Sequence, residues 1–333
     1  MVFEIKMNLK IHGGVARHEG GCFLKRYYDY NSYLRGIFGQ RVQKISIDAG
    51  LGCPNRDGTI SDKGCIFCDS RGSGTGDFID RGLSLEEQIA EKKEYVKNRY
   101  GAKKFIAYFQ SFTNTYASVE RLKSLYDTAL GHEGMVGLSV GTRPDCVDED
   151  KLELLSSYKK KFLVWVEYGL QSSHDPTLKK INRGHTVSSF QKAVAMTNEH
   201  GINVCAHVIL GLPGENRDMM LQTARFLSET PIKGVKIHLL YVVRGTHLAR
   251  LYDNREFRCL EKEEFAEIVV DFLELLPPHI VIQRLTGDPP RKSELVAPAW
   301  ALQRAGNLNR IRQLLEERKT WQGRLSKKFI AGG

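Results

Sequence analysis

Three cysteines, Cys53, Cys65 and Cys68, stand in one glycine-rich stretch, "AGLGCPNRDGTISDKGCIFCDSRGSGTG" (49–76), with the spacing C-x11-C-x2-C. Two thiolates separated by two residues reach one metal centre, because the tight turn between them aims both sulfurs the same way. The longer loop lets the third thiolate join them. Zinc is the natural competitor: a structural zinc takes four ligands, and Asp69 or a distant His could fill the gap, but nothing nearby has zinc-finger histidine spacing. A [4Fe–4S] cube held by three thiolates leaves one iron open. That iron must bind something from outside the protein. The remaining cysteines, Cys22, Cys146, Cys205 and Cys259, are scattered singly and read as small buried side chains rather than disulfide partners.

Other polar residues interrupt apolar stretches. "GLPGE" (211–215) follows an apolar run, and Gly211 and Gly214 would let the backbone approach a ligand closely before Glu215. In "VWVEYGLQ" strand alternation puts Glu167 and Gln171 on one face. A buried Glu167 needs a partner, either a ligand hydroxyl or Arg143. Lys236 in "VKIHLL" and His207 in "CAHVIL" are polar residues inside apparent strands. The tyrosine-rich "KRYYDYNSYL" (25–34) has the means to stack bases, although its spacing suits an ordinary packing helix better. "NRGHT" (182–186) reads as a rim loop.

These residues are positioned by a regular series of elements. Apolar, β-branched runs at 44–51, 104–112, 136–143, 162–171, 202–213 and 234–243 predict buried strands, and 279–287 offers one more. Segments of 3.6-residue periodicity at 84–100, 118–130, 148–161, 186–201, 216–229 and 261–276 predict the intervening helices. Six β-α units in series predict an α/β fold with a parallel sheet, either a partial barrel or a flat doubly wound sheet. In both, the carboxyl ends of the strands gather the functional loops. The expected divisions are an extension at 1–26, a core at 27–290 and a basic tail at 291–333. The tail carries ten Lys and Arg against three Glu, most of the chain's formal +10. Such an excess points to a polyanionic partner, with a solvated helical face as the plain alternative. No stretch has the length and apolarity of a membrane span or a secretory leader, and the unpaired cysteines fit a reducing cytoplasm.

In its ordered motifs the sequence resembles the radical S-adenosylmethionine (SAM) family. The branch it is similar to is the radical SAM part of the Elongator catalytic subunit, especially short stand-alone bacterial and plant proteins. The resemblance rests on the cysteine motif and on "GTRPDCVDEDKLELL" (141–155), "VEYGLQSSHDPTLKKINRGHT" (166–186), "HVILGLPGE" (207–215), "VKIHLLYVVRGTHLARLY" (235–252) and "LPPHIVIQRLTGDPP" (276–290). It spans roughly residues 40 to 290. It implies a partial (β/α)6 TIM-type barrel, with an N-terminal extension and the basic C-terminal tail. It also implies a [4Fe–4S] cluster on Cys53, Cys65 and Cys68, with SAM on the open iron. Phe67 would sit beside the adenine. Gln110, Ser111 and Thr113 stand where relatives often bind the methionyl amine through a Gly-Gly-Glu type segment. Arg143, Glu167, Gln171, His207, Gly211, Gly214 and Glu215 would complete the cofactor site, and Lys236 would act on the substrate. The implied partners are transfer RNA and an electron donor such as flavodoxin or ferredoxin. The implied reaction is modification of wobble uridine, from carboxymethylaminomethyl- to aminomethyl-uridine. A small-molecule or porphyrin-like substrate, or a non-catalytic metal-stabilised RNA-binding module, is the alternative. The acetyltransferase domain that follows in Elongator has no counterpart in the residues here, so acetyl transfer is not carried over.

Overall fold

Short β-branched runs alternate with capped amphipathic segments along most of this chain, and each becomes the element its pattern favours. The computed structural model describes residues 25–72, 81–287 and 292–326, and the backbone of 10–12 and 15–17. The expected extension at 1–26, with Cys22, thus lies almost wholly outside the described residues. Strands β1 (Lys10–His12) and β2 (Val15–Arg17) pair antiparallel. Seven strands then form one sheet: β3 (Val42–Ile47), β4 (Lys104–Phe109), β5 (Met135–Thr142), β6 (Leu163–Gln171), β7 (Asn203–Leu210), β8 (Gly234–Leu239) and β10 (Val281–Arg284). They lie side by side in chain order, and the pairings β3–β4, β4–β5, β5–β6 and β8–β10 are parallel. The strand expected at 279–287 is therefore real and closes one edge, beside β8. Between β8 and β10 lies the two-residue β9 (Val242–Val243), which pairs with β11 (Leu295–Ala297) in a separate sheet.

The chain divides into two units. Of the described residues, those within 34–170 and 182–206 form the first, and those within 2–33, 171–181 and 207–333 form the second. In the first unit the helices Leu85–Tyr100, Val119–Leu130, Glu149–Ser157 and Val187–Glu199 each start where a side chain caps a free backbone N–H. Ser84 and Glu87 form a reciprocal capping box, the arrangement that satisfies two orphan donors at once. The outward strand residues pack on these helices, and Phe109, Leu138, Val140, Val166 and Tyr168 are fully buried.

In the second unit the helix Arg217–Glu229 packs on the helix Lys262–Leu275, which also carries the helix Arg304–Glu317. The last of these lies inside the segment expected as a basic tail. It buries Ile311, Leu314 and Leu315, each contributing on the order of 1.5–3 kcal/mol of apolar burial. Gln322 then donates to the carbonyls of Pro277 and Ile280, both at 2.8 Å, and accepts from the Tyr28 amide at 2.9 Å. Several of the segment's cations are spent within the fold. Arg310 pairs with Glu263 and Glu317, and Arg318 pairs with Asp271. Arg304, Arg312, Lys319 and Arg324 remain exposed, while Arg291, Lys327 and Lys328 lie outside the described residues. The tyrosine-rich stretch packs: Tyr28 and Tyr33 are buried and meet edge to face at 6.2 Å. Among the described residues no helix is long and apolar enough to cross a membrane.

Candidate functional site

The cysteine loop follows β3 and is folded by its own backbone. The amides of Arg56 and Asp57 both donate to the Cys53 carbonyl, at 2.9 and 3.3 Å. The Cys68 amide donates to the Cys65 carbonyl at 3.0 Å, which is the tight turn the C-x2-C spacing implies. That turn brings the Cys65 and Cys68 thiols into hydrogen-bond contact. Cys65 is pulled down to about 5, first by that bond from Cys68 and then by the charges of Arg183 and Arg143. Cys68, as the donor, is pushed up. The charge of Cys53 is felt by Arg143, so all three sulfurs share one cationic neighbourhood.

A second loop straps the first down. Asn182, held at φ 51°, donates through Nδ2 to the Gly64 carbonyl at 2.7 Å and to Ser61 Oγ at 3.2 Å. Asn55 Nδ2 returns the contact to the Asn182 carbonyl at 2.7 Å and lies 3.6 Å from Cys65 Sγ. Arg183 places Nη1 3.6 Å from the same sulfur, while its Nε and Nη2 donate to the Gly169 carbonyl on β6. His185 Nε2 donates to that carbonyl as well, at 3.0 Å. Gly184 between them has φ 76°, and a Cβ there would stand 2.8 Å from Asn55 Oδ1 and 3.2 Å from Arg143 Nη2. The strap therefore requires glycine.

Charge tests whether this site suits an anionic iron–sulfur cluster. Arg143 is buried, with its charge met by Asp145 at 2.7 and 2.9 Å and with Nη1 on the Arg183 carbonyl. Arg183 is also buried, yet among the described residues no carboxylate forms a salt bridge with it. A buried guanidinium requires an anion, and the thiolates are the anions within reach. Nearby, Thr113 Oγ1 is buried with no hydrogen-bond partner among the described residues, a polar atom left over for a ligand. The donor set fits the cluster.

The remaining expected residues fall into two groups. Among those in the first unit, Phe67 is half-buried between the two neighbouring cysteines. Gln110, Ser111 and Thr113 follow β4, and the Thr113 amide donates to the Gly52 carbonyl beside Cys53. Glu167 is buried and is met by Lys44 and Ser139, not by Arg143. Lys44 also sits over the Tyr108 ring at 4.6 Å. In the second unit, Gln171 ends β6 at φ 74°, and Gly211 and Gly214 take φ 90° and 91°. A Cβ at Gly211 would press on Leu260 at 3.1 Å. Glu215 accepts from Ser172, and burial pushes its carboxyl up against that bond. His207 stacks obliquely with His238 at 5.3 Å, and Lys236 is buried on β8.

Sequence reading missed Lys44, Asn55, Asn182, Arg183 and His185. Lys44 had a signal, since Lys44, Ser46 and Asp48 alternate with Ile45 and Ile47. The strap had only the glycine between two basic residues of "NRGHT".

Comparison with known proteins agrees with this geometry. The profile of the radical SAM superfamily matches residues 50–227, more than half of the chain, and that of the radical SAM C-terminal domain matches 232–317. The YtqA protein of Bacillus subtilis is 39% identical over 90% of this chain and 92% of its own. The tRNA uridine(34) acetyltransferase of Dehalococcoides mccartyi is 27% identical over 64% of this chain and 44% of its own. The solved structure of Elp3 from Methanocaldococcus infernus superposes with a TM-score of 0.63 at 18% identity, covering 84% of this chain and 64% of that one. The chain belongs to the radical SAM superfamily and is an enzyme of that class. Its α/β sheet is the superfamily's partial TIM-type barrel, as the resemblance implied. A [4Fe–4S] cluster and SAM are its cofactors, and when bound they supply a 5′-deoxyadenosyl radical. Cys53, Cys65 and Cys68 would hold the cluster; Arg183, Asn55 and Arg143 would surround it.

Proposed function

We propose that the enzyme modifies transfer RNA at the 5-substituent of wobble uridine, converting carboxymethylaminomethyl- to aminomethyl-uridine. The observation that carries this reading is a row of basic side chains in the second unit. In β8, Val235 and Ile237 are fully buried, and alternation puts Lys236 and His238 on the opposite face. The register of β10 sets Arg284 beside Lys236, and His207 on β7 meets His238. Such a face suits a substrate anion, and the glycine-derived substituent ends in a carboxylate. An ammonium away from bulk water holds that carboxylate more strongly than it could in water, and so fixes the adjacent methylene. The partial likeness to tRNA uridine(34) acetyltransferases supports the same nucleoside.

Two partners follow as part of the proposal. Transfer RNA supplies the polyanion for the exposed Arg304, Arg312, Lys319 and Arg324, and a flavodoxin or ferredoxin supplies single electrons. Anaerobic incubation with SAM, reductant and tRNA from a strain arrested at carboxymethylaminomethyl-uridine tests the reading. Nucleoside mass spectrometry should show loss of that nucleoside and gain of aminomethyl-uridine. SAM cleavage with no change in any tRNA nucleoside would sink it in favour of a small-molecule substrate.

A further inference from the structure

Arg183 differs from the other buried arginine of the site in what it does with its charge. Arg143 spends its charge on Asp145, whereas Arg183 turns one edge to a backbone carbonyl and the other to a cysteine sulfur. The two bonds to Gly169, at 3.2 and 2.9 Å, fix the plane of the guanidinium and leave Nη1 directed at Cys65 Sγ, 3.6 Å away. Asn55 Nδ2 approaches the same sulfur at the same distance, anchored on the Asn182 carbonyl. Both donors are therefore held by the backbone and aim at one atom. These separations are long for oxygen acceptors but suit the larger sulfur.

We propose that Arg183, with Asn55, is a positioning residue that raises the reduction potential of the cluster through Cys65. Hydrogen bonds to a ligand sulfur and a nearby positive charge both favour the more negative, reduced cluster. The step is the gain of one electron from an external low-potential donor; no proton moves and no bond breaks. Concentrating both donors on Cys65 makes the electronic effect unequal among the three thiolates. Superfamily membership alone supplies the cluster here, so the inference stands apart from the RNA substrate.

The test is a potentiometric titration of anaerobically reconstituted protein without SAM, with the reduced cluster read by electron paramagnetic resonance and iron and sulfide assayed in parallel. Arg183→Met should keep the iron and sulfide of the wild type but be at least tenfold harder to reduce, a fall of about 59 mV for a one-electron couple. Arg183→Lys, which keeps the charge and loses the fork, should fall between the two. Asn55→Leu removes one donor and leaves the guanidinium, so a downward shift is expected there too. It carries the test should Arg183→Met fail to hold iron. An unchanged midpoint in the iron-loaded variants would reduce Arg183 to a structural strap and overturn the proposal.

Discussion

The cysteine region of the first unit and the basic strand face of the second are positioned by different means. Around the cysteines, backbone carbonyls and paired amides hold the side chains of the two loops. The Gly169 carbonyl alone accepts from Arg183 Nε, Arg183 Nη2 and His185 Nε2, and Asn55 and Asn182 bridge the two loops reciprocally. On β8 and β10 the register sets Lys236 beside Arg284, and alternation puts His238 on the same face as Lys236. The first plan suits a cofactor that must sit in one place for every turnover. The second suits a partner that is bound and released in each turnover. Variants in the two regions should therefore fail differently.

The largest effect is expected at the thiolates. Replacing Cys53, Cys65 or Cys68 by Ala should lower iron after anaerobic reconstitution and abolish SAM cleavage, because two thiolates leave a second corner of the cube unheld. Thermal melting of the unreconstituted protein should shift little. A full iron complement in any of the three variants, or stoichiometric zinc in the wild type, would break the assignment of the first region. Lys236→Met probes the second region. Uncoupled cleavage of SAM should persist while conversion of carboxymethylaminomethyl-uridine falls to background in nucleoside mass spectrometry. Conversion at the wild-type rate would remove Lys236 from substrate binding.

Much of this was legible in the sequence, for reasons that differ between the two regions. The three cysteines are chemically distinctive and close in the chain, so their spacing spoke directly. Lys236 and His207 stood out because a polar residue in an apolar strand breaks the period. The helices at 84–100 and 186–201 came with their caps written in Ser84 and Thr186. Arg183 and His185 were opaque. They lie 118 residues or more from Cys65, and only the sheet brings Gly169 close enough to anchor them. The segment after 290 reads as a basic tail because its charges dominate its composition. Ile311, Leu314 and Leu315, spaced for one helix face, were the quieter signal of packing.

A single methyl group should separate the strap from the thiolates themselves. Gly184→Ala puts a side chain at φ 76°, where L residues pay strain, and drives its Cβ against Asn55 Oδ1. The αL cost alone is on the order of 1–3 kcal/mol, and the clash adds to it. The variant should melt at a lower temperature and retain less iron, while the same change at exposed Gly39, also at positive φ with open space around it, should cost only the strain. Equal effects at both positions would mean that the strap does not bear on the cysteine loop.

The smallest expected effect is a pH slope, and its sign is fixed by burial. His185 is lowered to about 3, chiefly because its buried ring resists charging, with Arg183 and Arg143 opposing a further positive charge and Asp145 only partly relieving it. The unfolded chain takes up this proton near 6.5, whereas the folded one does so near 3. Between those values the unfolded state binds more protons, so stability falls as the solution is acidified. The slope from this one group approaches about 1.4 kcal/mol per pH unit. It acts below about pH 6 and vanishes above 7. Glu215, pushed up by burial, works in the other direction within its own acid range, so the net slope is smaller than His185 alone would give. His185→Gln keeps an amide able to donate to the Gly169 carbonyl and removes the titration. Urea unfolding of apo protein at pH 7 and pH 5 should therefore show a wild-type loss of stability that the variant lacks. A parallel loss in both proteins would assign the acid sensitivity to other groups and leave His185 charged or accessible in the fold.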